Sequence, residues 1–107
     1  MNVYILRTAQ EQYQGVRGRD GVSKDEFFVF PGVEGGTNFT MRGVPFPIEI
    51  GFWDRSGKLL EIKHMDAEIG GAKTPIGSFV AIEGAPDTLH NLSSMAVKSI
   101  IASVKGR

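Results

Sequence analysis

The chain has 107 residues, 41% of them hydrophobic, and this size and composition are typical of one globular domain, here residues 1–107. Its 12 Lys and Arg balance 12 Asp and Glu, and the zero net charge excludes a general attraction to nucleic acid or to an anionic membrane. The chain contains no cysteine, which excludes disulfides, thiolate catalysis and cysteine-ligated zinc.

The apolar segments of the chain are short, and this bears on its location. No apolar run approaches the roughly 20 residues that cross a bilayer, so we expect no membrane partner. Residues 1–7 lack a basic start followed by a long apolar run, so we expect no signal peptide. These features favour a soluble protein in the cytoplasm.

The N-terminal segment is predicted to form a strand and then a short helix. Residues 2–7 carry apolar side chains on both sides, which is typical of a strand covered on both faces. Thr8 and Glu11 have the spacing of a capping box, which predicts a helix over residues 9–14 that ends at Gly15.

Two more strands are predicted before the central prolines. Residues 25–30 are dense in aromatic side chains and are closed by a Pro-Gly pair. Residues 37–42 alternate between apolar and polar side chains, which places Thr40 and Arg42 on the face away from the core.

The fourth predicted strand, residues 48–54, has the clearest alternation in the chain. The positions predicted to face the core are Ile48, Ile50 and Phe52. The positions predicted to face away from it are Glu49, Gly51 and Trp53. A rigid corner with two prolines precedes this strand, since proline fixes φ and donates no ladder hydrogen bond.

The C-terminal half is predicted to add two strands and a long helix. The predicted segments are a strand over 58–64, a loop over 65–75 and a strand over 77–83. Leu60 and Ile62 are expected to point inward together. Apolar residues recur at helical spacing over residues 87–104, which predicts a helix with an apolar stripe that packs on the sheet.

These elements predict an α+β fold of mostly antiparallel β-hairpins, with one short N-terminal and one C-terminal helix. We expect the hairpins to form a curled or barrel-like sheet, because Gly43, Gly51 and Gly57 ease bending. The order of the strands in the sheet stays open at this point.

The order of residues in the central segment carries a family resemblance. The matching positions are Phe39, Met41, Arg42, Pro47, Ile48, Glu49, Ile50, Phe52, Asp54 and Gly57. In this run the chain resembles the domain-of-unknown-function 192 family, and weaker likeness extends over roughly residues 3 to 100. Where the family usually has tryptophan, asparagine, threonine and aspartate, this chain has Thr40, Gly43, Val44 and Glu49. The resemblance implies a compact, hairpin-rich fold and no mechanism, because the family's activity is uncharacterised.

Four residues of the central hairpin are the candidate ligand-binding residues: Arg42, Glu49, Trp53 and Thr40. Arg42 and Glu49 flank the proline corner, where they would form either an ordinary cross-strand charge pair or a site in which the guanidinium grips an anionic or polar ligand. Trp53 would either cover the polar face under a loop or serve as a platform for a flat or sugar-like ligand.

A metal site is the competing interpretation of the segment after the fifth strand. His64, Asp66 and Glu68 alternate, so on an extended chain all three would project to one side, as metal ligands do. A solvated polar edge is the plainer interpretation, and His90 would be a further ligand only if the fold brought it near. The corresponding alternative function is a small metal-assisted hydrolase.

Other catalytic patterns are weak or missing. No serine lies in a nucleophile-elbow pattern. Arg17 and Arg19 stand among glycines and could form a small anion nest, although a solvated loop is favoured. We therefore predict a non-enzymatic binding or accessory module for a small polar ligand or a protein partner, without a cofactor, as a monomer or as a weak homodimer through the last helix.

Overall fold

The computed structural model describes residues 1–105. The strands are β1 (Asn2–Ile5), β2 (Glu26–Pro31), β3 (Asn38–Thr40), β4 (Ile48–Trp53), β5 (Leu59–Met65), β6 (Gly71–Lys73) and β7 (Val80–Gly84). The helices are α1 (Ala9–Gln14) and α2 (Ser94–Lys105), and a 3₁₀ turn spans Leu89–Asn91. The predicted α+β class is confirmed.

The main sheet is mixed and mostly antiparallel. Its strand order is β1-β2-β7-β4-β5, with β1 and β2 parallel and the other neighbours antiparallel. Strands β3 and β6 form a separate antiparallel pair. Since β1 and β5 are the edges of the main sheet, the part of the chain described here forms no closed barrel.

Apolar side chains cover both faces of the main sheet. On one face, called the front face, the buried apolar sheet residues are Phe28, Phe30, Ile48, Ile50, Phe52, Met65 and Ala81. On the other, called the back face, they are Phe27, Val29, Trp53, Val80 and Ile82. The β3–β6 pair adds Phe39 and Ala72 to the front cluster, and α2 packs Val97, Ile100 and Ile101 on the back cluster. The five-stranded sheet is therefore the middle layer of the domain.

The predicted alternation of β4 is right, and the burial of Trp53 agrees with its packing interpretation, but the exposed position expected for Glu49 is wrong. Glu49 and Trp53 do point to the other face of the sheet from Ile50, yet these two residues are only 7% and 4% exposed. The reason is that α2 and the 3₁₀ turn cover the back face, so every residue of β4 is buried. Alternation along one strand assigns side chains to faces but carries no information on what covers each face.

The first helix begins where the capping box predicts. The Thr8 hydroxyl accepts from the Glu11 amide at 3.0 Å, and the Glu11 carboxylate accepts from the Thr8 amide at 2.9 Å. Gly15 ends α1 with φ of +50°, a conformation that favours glycine. The reciprocal cap fixes the direction in which the chain enters α1.

The C-terminal helix is shorter than predicted. Leu92 has extended backbone angles (φ −67°, ψ 120°), which separates the 3₁₀ turn from α2. The Ser93 hydroxyl then accepts from the Ala96 amide at 3.0 Å, as an N-cap does. The apolar spacing over 87–104 therefore spans two helical pieces, and the serine cap is the local signal for the start of the second.

The two short strands outside the main sheet differ from the prediction. Residues 65–75, predicted as a loop, contain β6, and the predicted strand over 37–42 narrows to the three residues of β3. The last predicted strand, 77–83, begins later, at Val80. Three-residue strands carry too short a pattern for alternation to identify them.

The inward pair predicted on β5 is divided between the two faces. Leu60 packs on the front cluster and Ile62 on the back cluster. The cause is an irregularity in the pairing with β4, where Phe52 faces Glu61 but Trp53 faces Leu59. Leu60 is the extra residue of this bulge, and the bulge changes the side on which the following residues point.

Candidate functional site

A cavity of about 480 Å³ opens on the front face, between the sheet, the end of α1 and β3. This volume lies within the range of small-molecule sites. The apolar residues that line it are Val16, Phe30, Pro31, Val33, Phe39, Met41, Val44 and Ile48. The polar and charged residues that line it are Gln12, Tyr13, Arg17, Glu34, Thr37, Asn38, Thr40 and Glu83.

Glu83 is the buried charged group of this cavity. In the ladders of β7 it is paired with Phe28 and Ile50, both front-face residues, so its side chain lies on the front face. It is only 6% exposed, and within residues 1–105 its carboxyl group has no hydrogen-bond partner. A Cβ atom added at Gly15 would lie 3.9 Å from Glu83 Oε1, so the backbone at the end of α1 passes close to this carboxyl group.

The surroundings of Glu83 change its acidity. Burial raises the pKa of Glu83 to about 7, and the positive charge of Arg17 opposes part of this rise. The carboxyl group therefore changes its charge near neutral pH, where an ordinary glutamate is fully ionised. A perturbed carboxyl group in a cavity is a recognised feature of functional sites.

Arg17 closes one side of the cavity through three hydrogen bonds to backbone carbonyls. Its Nε donates to Arg42 O at 2.8 Å, its Nη1 to Tyr13 O at 2.8 Å and its Nη2 to Thr40 O at 3.2 Å. The half-buried guanidinium therefore ties the segment after α1 to the end of β3. None of these acceptors is charged, and no ion pair in the described part of the chain includes Arg17.

Aromatic rings form part of the apolar wall of the cavity. Phe39 packs edge-on against Phe30 at a centroid distance of 5.1 Å, and against Phe52 at 6.0 Å. Phe30 reaches the glycine at the end of α1, where an added Cβ would lie 3.6 Å from its ring. The wall is thus part of the packed front cluster, and a preformed cavity results.

The structure does not bring the four candidate ligand-binding residues together. Thr40 and Arg42 are exposed at the end of β3, as expected, and Thr40 lines the cavity. Glu49 and Trp53 lie buried on the opposite face of the sheet, so the expected shared surface is absent.

The expected charge pair of Arg42 with Glu49 is also wrong. Within residues 1–105 neither residue takes part in an ion pair. The Glu49 carboxylate instead accepts from the amides of Thr88 and Leu89, at 3.0 and 2.7 Å. Since β3 pairs with β6 and not with β4, the two residues lie on opposite sides of the main sheet.

The three candidate metal ligands do not converge. His64 Nε2 lies 3.1 Å from Asp66 Oδ1, and both side chains are largely exposed. Glu68 turns away and accepts a hydrogen bond from the Gly43 amide at 3.0 Å. No group of three His, Cys, Asp or Glu residues in the described part of the chain is placed to hold a metal ion, so His90 does not complete one.

Some of the residues that form the cavity could have been identified from the sequence. Glu83 is the one charged residue in the otherwise apolar run Phe79–Gly84, and alternation along that strand places it on the same side as Ala81. A charge inside a strand that is apolar on both faces is a signal of a buried polar site. Arg17 and Arg19 do not share an anion nest, because Arg19 pairs with Glu26 at 3.3 Å.

The comparisons with known proteins give a family and a fold. The model of the family DUF192, described as "Uncharacterized ACR", matches residues 1–90, which confirms the resemblance carried by the central run. Comparison with curated proteins gives no match. No helix in residues 1–105 is long and apolar enough to cross a membrane.

Two crystal structures share the fold at 18% sequence identity. A protein of unknown function from Novosphingobium aromaticivorans has a TM-score of 0.70, with 83% of this chain and 66% of that chain covered. A putative transcription regulator from Sinorhizobium meliloti has a TM-score of 0.67, with 84% and 72% covered. This chain thus spans just under two thirds of the first protein. At this identity the likeness concerns the fold alone.

Proposed function

The chain belongs to the DUF192 family, whose activity is uncharacterised, and we propose that it is a non-enzymatic module that binds a small molecule in the front-face cavity. The observation that carries this proposal is the Glu83 carboxyl group, which is buried beside the cavity and has no hydrogen-bond partner among the described residues. The carboxyl oxygens face the cavity, because the one fully buried side-chain oxygen or nitrogen without a partner among the described residues is Thr74 Oγ1. A ligand in the cavity can therefore donate a hydrogen bond to this carboxyl group, and a hydrogen bond to a charged group contributes about 1.5 to 3 kcal/mol.

The walls of the cavity define the rest of the ligand. Phe30, Phe39 and Val44 offer apolar contact, and a cavity of about 480 Å³ accepts a body the size of one ring or a branched chain. The ligand therefore combines a polar head that donates hydrogen bonds with an apolar body. This description keeps the small polar ligand expected from the sequence and moves its site from the Glu49–Trp53 face to the front face.

Binding without chemistry is supported by the contacts of the lining residues. A side-chain nucleophile is activated by a hydrogen bond to a neighbouring base. The hydroxyl of Thr40 accepts from the Arg42 amide, and in residues 1–105 no lining hydroxyl is hydrogen-bonded to a carboxylate or a histidine. Glu83 is then a recognition group for the ligand and does not act on a neighbouring nucleophile.

A fragment experiment tests the proposal. The ¹⁵N-labelled protein is titrated with single-ring aromatic fragments that carry an amine, amide or hydroxyl head. We expect the amide signals of Gly15, Phe39 and Glu83 to shift, and Glu83→Leu to abolish the preference for donor heads. Glu61→Leu, at an exposed position of β5, is the matched control and leaves the shifts intact. Unshifted signals at millimolar fragment would refute a small-molecule site.

We also propose the shape of the sheet, the location of the protein, its oligomeric state and its classes of partner. The sheet is curled, supported by the bulge between Phe52 and Trp53, because bulges increase strand twist. The protein works in the cytoplasm as a monomer or weak homodimer. It has no nucleic-acid or membrane partner, and its zero net charge supports this last point alone. Light scattering over a range of concentrations tests the oligomeric state. A dimer that persists at nanomolar protein concentration contradicts the proposed monomer or weak homodimer.

A further inference from the structure

We infer that the ligand of the front-face cavity is a zwitterion, whose ammonium group contacts Glu83, whose carboxylate contacts Arg17 and whose apolar body lies against Phe30 and Phe39. An amino acid with a large apolar side chain has this chemistry. The inference rests on the proposed function and adds to it the charge of the ligand at each end. It stands on Arg17 and Glu83, which line one cavity and both lack an ionic partner within residues 1–105; Glu34, the third charged residue of the lining, is exposed.

Arg17 has hydrogen-bonding capacity left for a carboxylate. A guanidinium carries five N–H groups, and the three hydrogen bonds to carbonyls use three of them, which leaves two. Those three contacts hold the guanidinium in one orientation, so a carboxylate that binds it meets a preorganised donor. A neutral carbonyl partner does not compensate the positive charge.

Glu83 has no hydrogen-bond donor and no cationic partner in the described part of the chain. Its carboxyl group lies in the front apolar cluster without a donor, and an ammonium group supplies both donors and charge. The aromatic rings of Phe30 and Phe39 surround the same space, and ring faces attract ammonium groups. Burial raises the pKa of Glu83 to about 7, and an ammonium group beside the carboxyl group would lower that pKa, as the charge of Arg17 does in part.

The two charged groups line one cavity but do not pair with each other. Arg17 opposes the rise in the Glu83 pKa through its charge, yet no ion pair between the two is formed. A ligand with a single positive charge can pair with Glu83 but is repelled by Arg17. A ligand with a single negative charge can pair with Arg17 but is repelled by Glu83. A zwitterion with its charges a few bonds apart satisfies both ends at once.

Three compounds with one phenyl ring test the inference on the unaltered protein. They are L-phenylalanine, phenethylamine, which lacks the carboxylate, and 3-phenylpropionate, which lacks the ammonium group. By calorimetry at pH 8, where Glu83 is ionised, we expect L-phenylalanine to bind at least about tenfold more tightly than either analogue, the value of one charged hydrogen bond.

The outcomes separate this inference from the proposed function. If either analogue binds as tightly as L-phenylalanine, or if the aromatic fragments bind and L-phenylalanine does not, the ligand is not a zwitterion and the cavity remains a binding site. If neither these compounds nor the fragments bind, both proposals are wrong.

Charge-removing variants locate each end of the ligand. Arg17→Met should lower the affinity for L-phenylalanine to about that of the unaltered protein for phenethylamine, because the carboxylate then has no partner. Glu83→Gln should lower it to about that of the unaltered protein for 3-phenylpropionate, because the ammonium group then has no charged partner. Arg42→Met is the matched control for Arg17, since Arg42 is exposed nearby and is not part of the cavity lining. Circular dichroism confirms that each variant is folded, and an unchanged order of affinities in the folded variants overturns the assignment.

Discussion

The carboxylate of Glu49, on the inner strand β4, accepts a hydrogen bond of 2.7 Å from the backbone amide of Leu89, in the 3₁₀ turn. The Thr88 amide donates to the same oxygen at 3.0 Å. Both amides are buried, so a side chain of β4 supplies the acceptor that the start of the turn lacks. This contact fixes the approach of the chain to α2 and therefore the cover of the back face.

Replacing Glu49 should destabilise the fold without affecting the cavity. Glu49→Leu keeps a similar volume and leaves the Thr88 and Leu89 amides without an acceptor, so we expect a loss of about 2 to 4 kcal/mol in the free energy of unfolding. Urea denaturation measures it, with the exposed Glu61→Leu as control. A loss equal to that of the control would show that the contact is not stabilising.

Gly51 is required by the packing of Trp53. A Cβ atom added at Gly51 would lie 2.5 Å from Trp53 Cη2 and 2.6 Å from Cζ3, and the indole is enclosed by the back cluster. We expect Gly51→Ala to cost about 1 to 3 kcal/mol through overpacking. Gly21→Ala is the control, because an added Cβ there meets nothing within 4 Å. Equal melting temperatures for the two variants would contradict this packing.

Glu83 should make the stability of the protein fall between acid and neutral pH. Its pKa rises from 4.5 in the unfolded chain to about 7 in the fold, so the folded state holds the proton more tightly. The contribution of Glu83 to stability is then greatest below pH 4.5, decreases as the pH rises, and is lost above pH 7, where the loss is on the order of 3 kcal/mol.

The variant Glu83→Gln isolates this contribution. The amide never ionises, so we expect the variant to match the wild type near pH 4 and to be more stable, by an amount on the order of 3 kcal/mol, at pH 8. Urea denaturation at a series of pH values measures the difference, and Glu61→Gln is the control. A difference between variant and wild type that does not change with pH contradicts a raised pKa.

Arg17 should hold the wall of the cavity. Arg17→Met keeps much of the stem but removes the donors to the carbonyls of Tyr13, Thr40 and Arg42. We expect a loss of about 2 to 3 kcal/mol in stability and faster hydrogen exchange around β3. Arg42→Met leaves those carbonyl contacts in place, so it should change neither the stability nor the rate of hydrogen exchange. If the amides around β3 exchange at the same rate in both variants, Arg17 does not anchor the wall.

Local features of the fold were predictable because their cause lies within a few residues. The capping box of Thr8 and Glu11 defines the start of α1, and alternation correctly separates Ile50 from its neighbours on β4. Ser93 was equally local but was hidden by an apolar spacing that continues across the break at Leu92.

Features that depend on distant segments were not predictable in the same way. Whether Glu49 and Trp53 are exposed depends on α2, which is more than 40 positions away in the chain, and alternation carries no information about it. The cavity combines the end of α1, β3 and β7, and the strand order that places them together was open. Glu83 is the one charged residue of its strand, but its position near Gly15 and Arg17 depends on contacts between distant segments.

The side-chain carboxyl signal of Glu83 tests the central claim most directly. In protein labelled with ¹³C in its glutamates, this signal is followed against pH, with and without saturating L-phenylalanine. We expect the free protein to give a pKa of about 7, and the ligand to lower it clearly, because an ammonium partner favours the ionised form. A carboxyl group that titrates near 4.5 in the free protein, or one whose titration the ligand leaves unchanged, would contradict a ligand site built on Glu83.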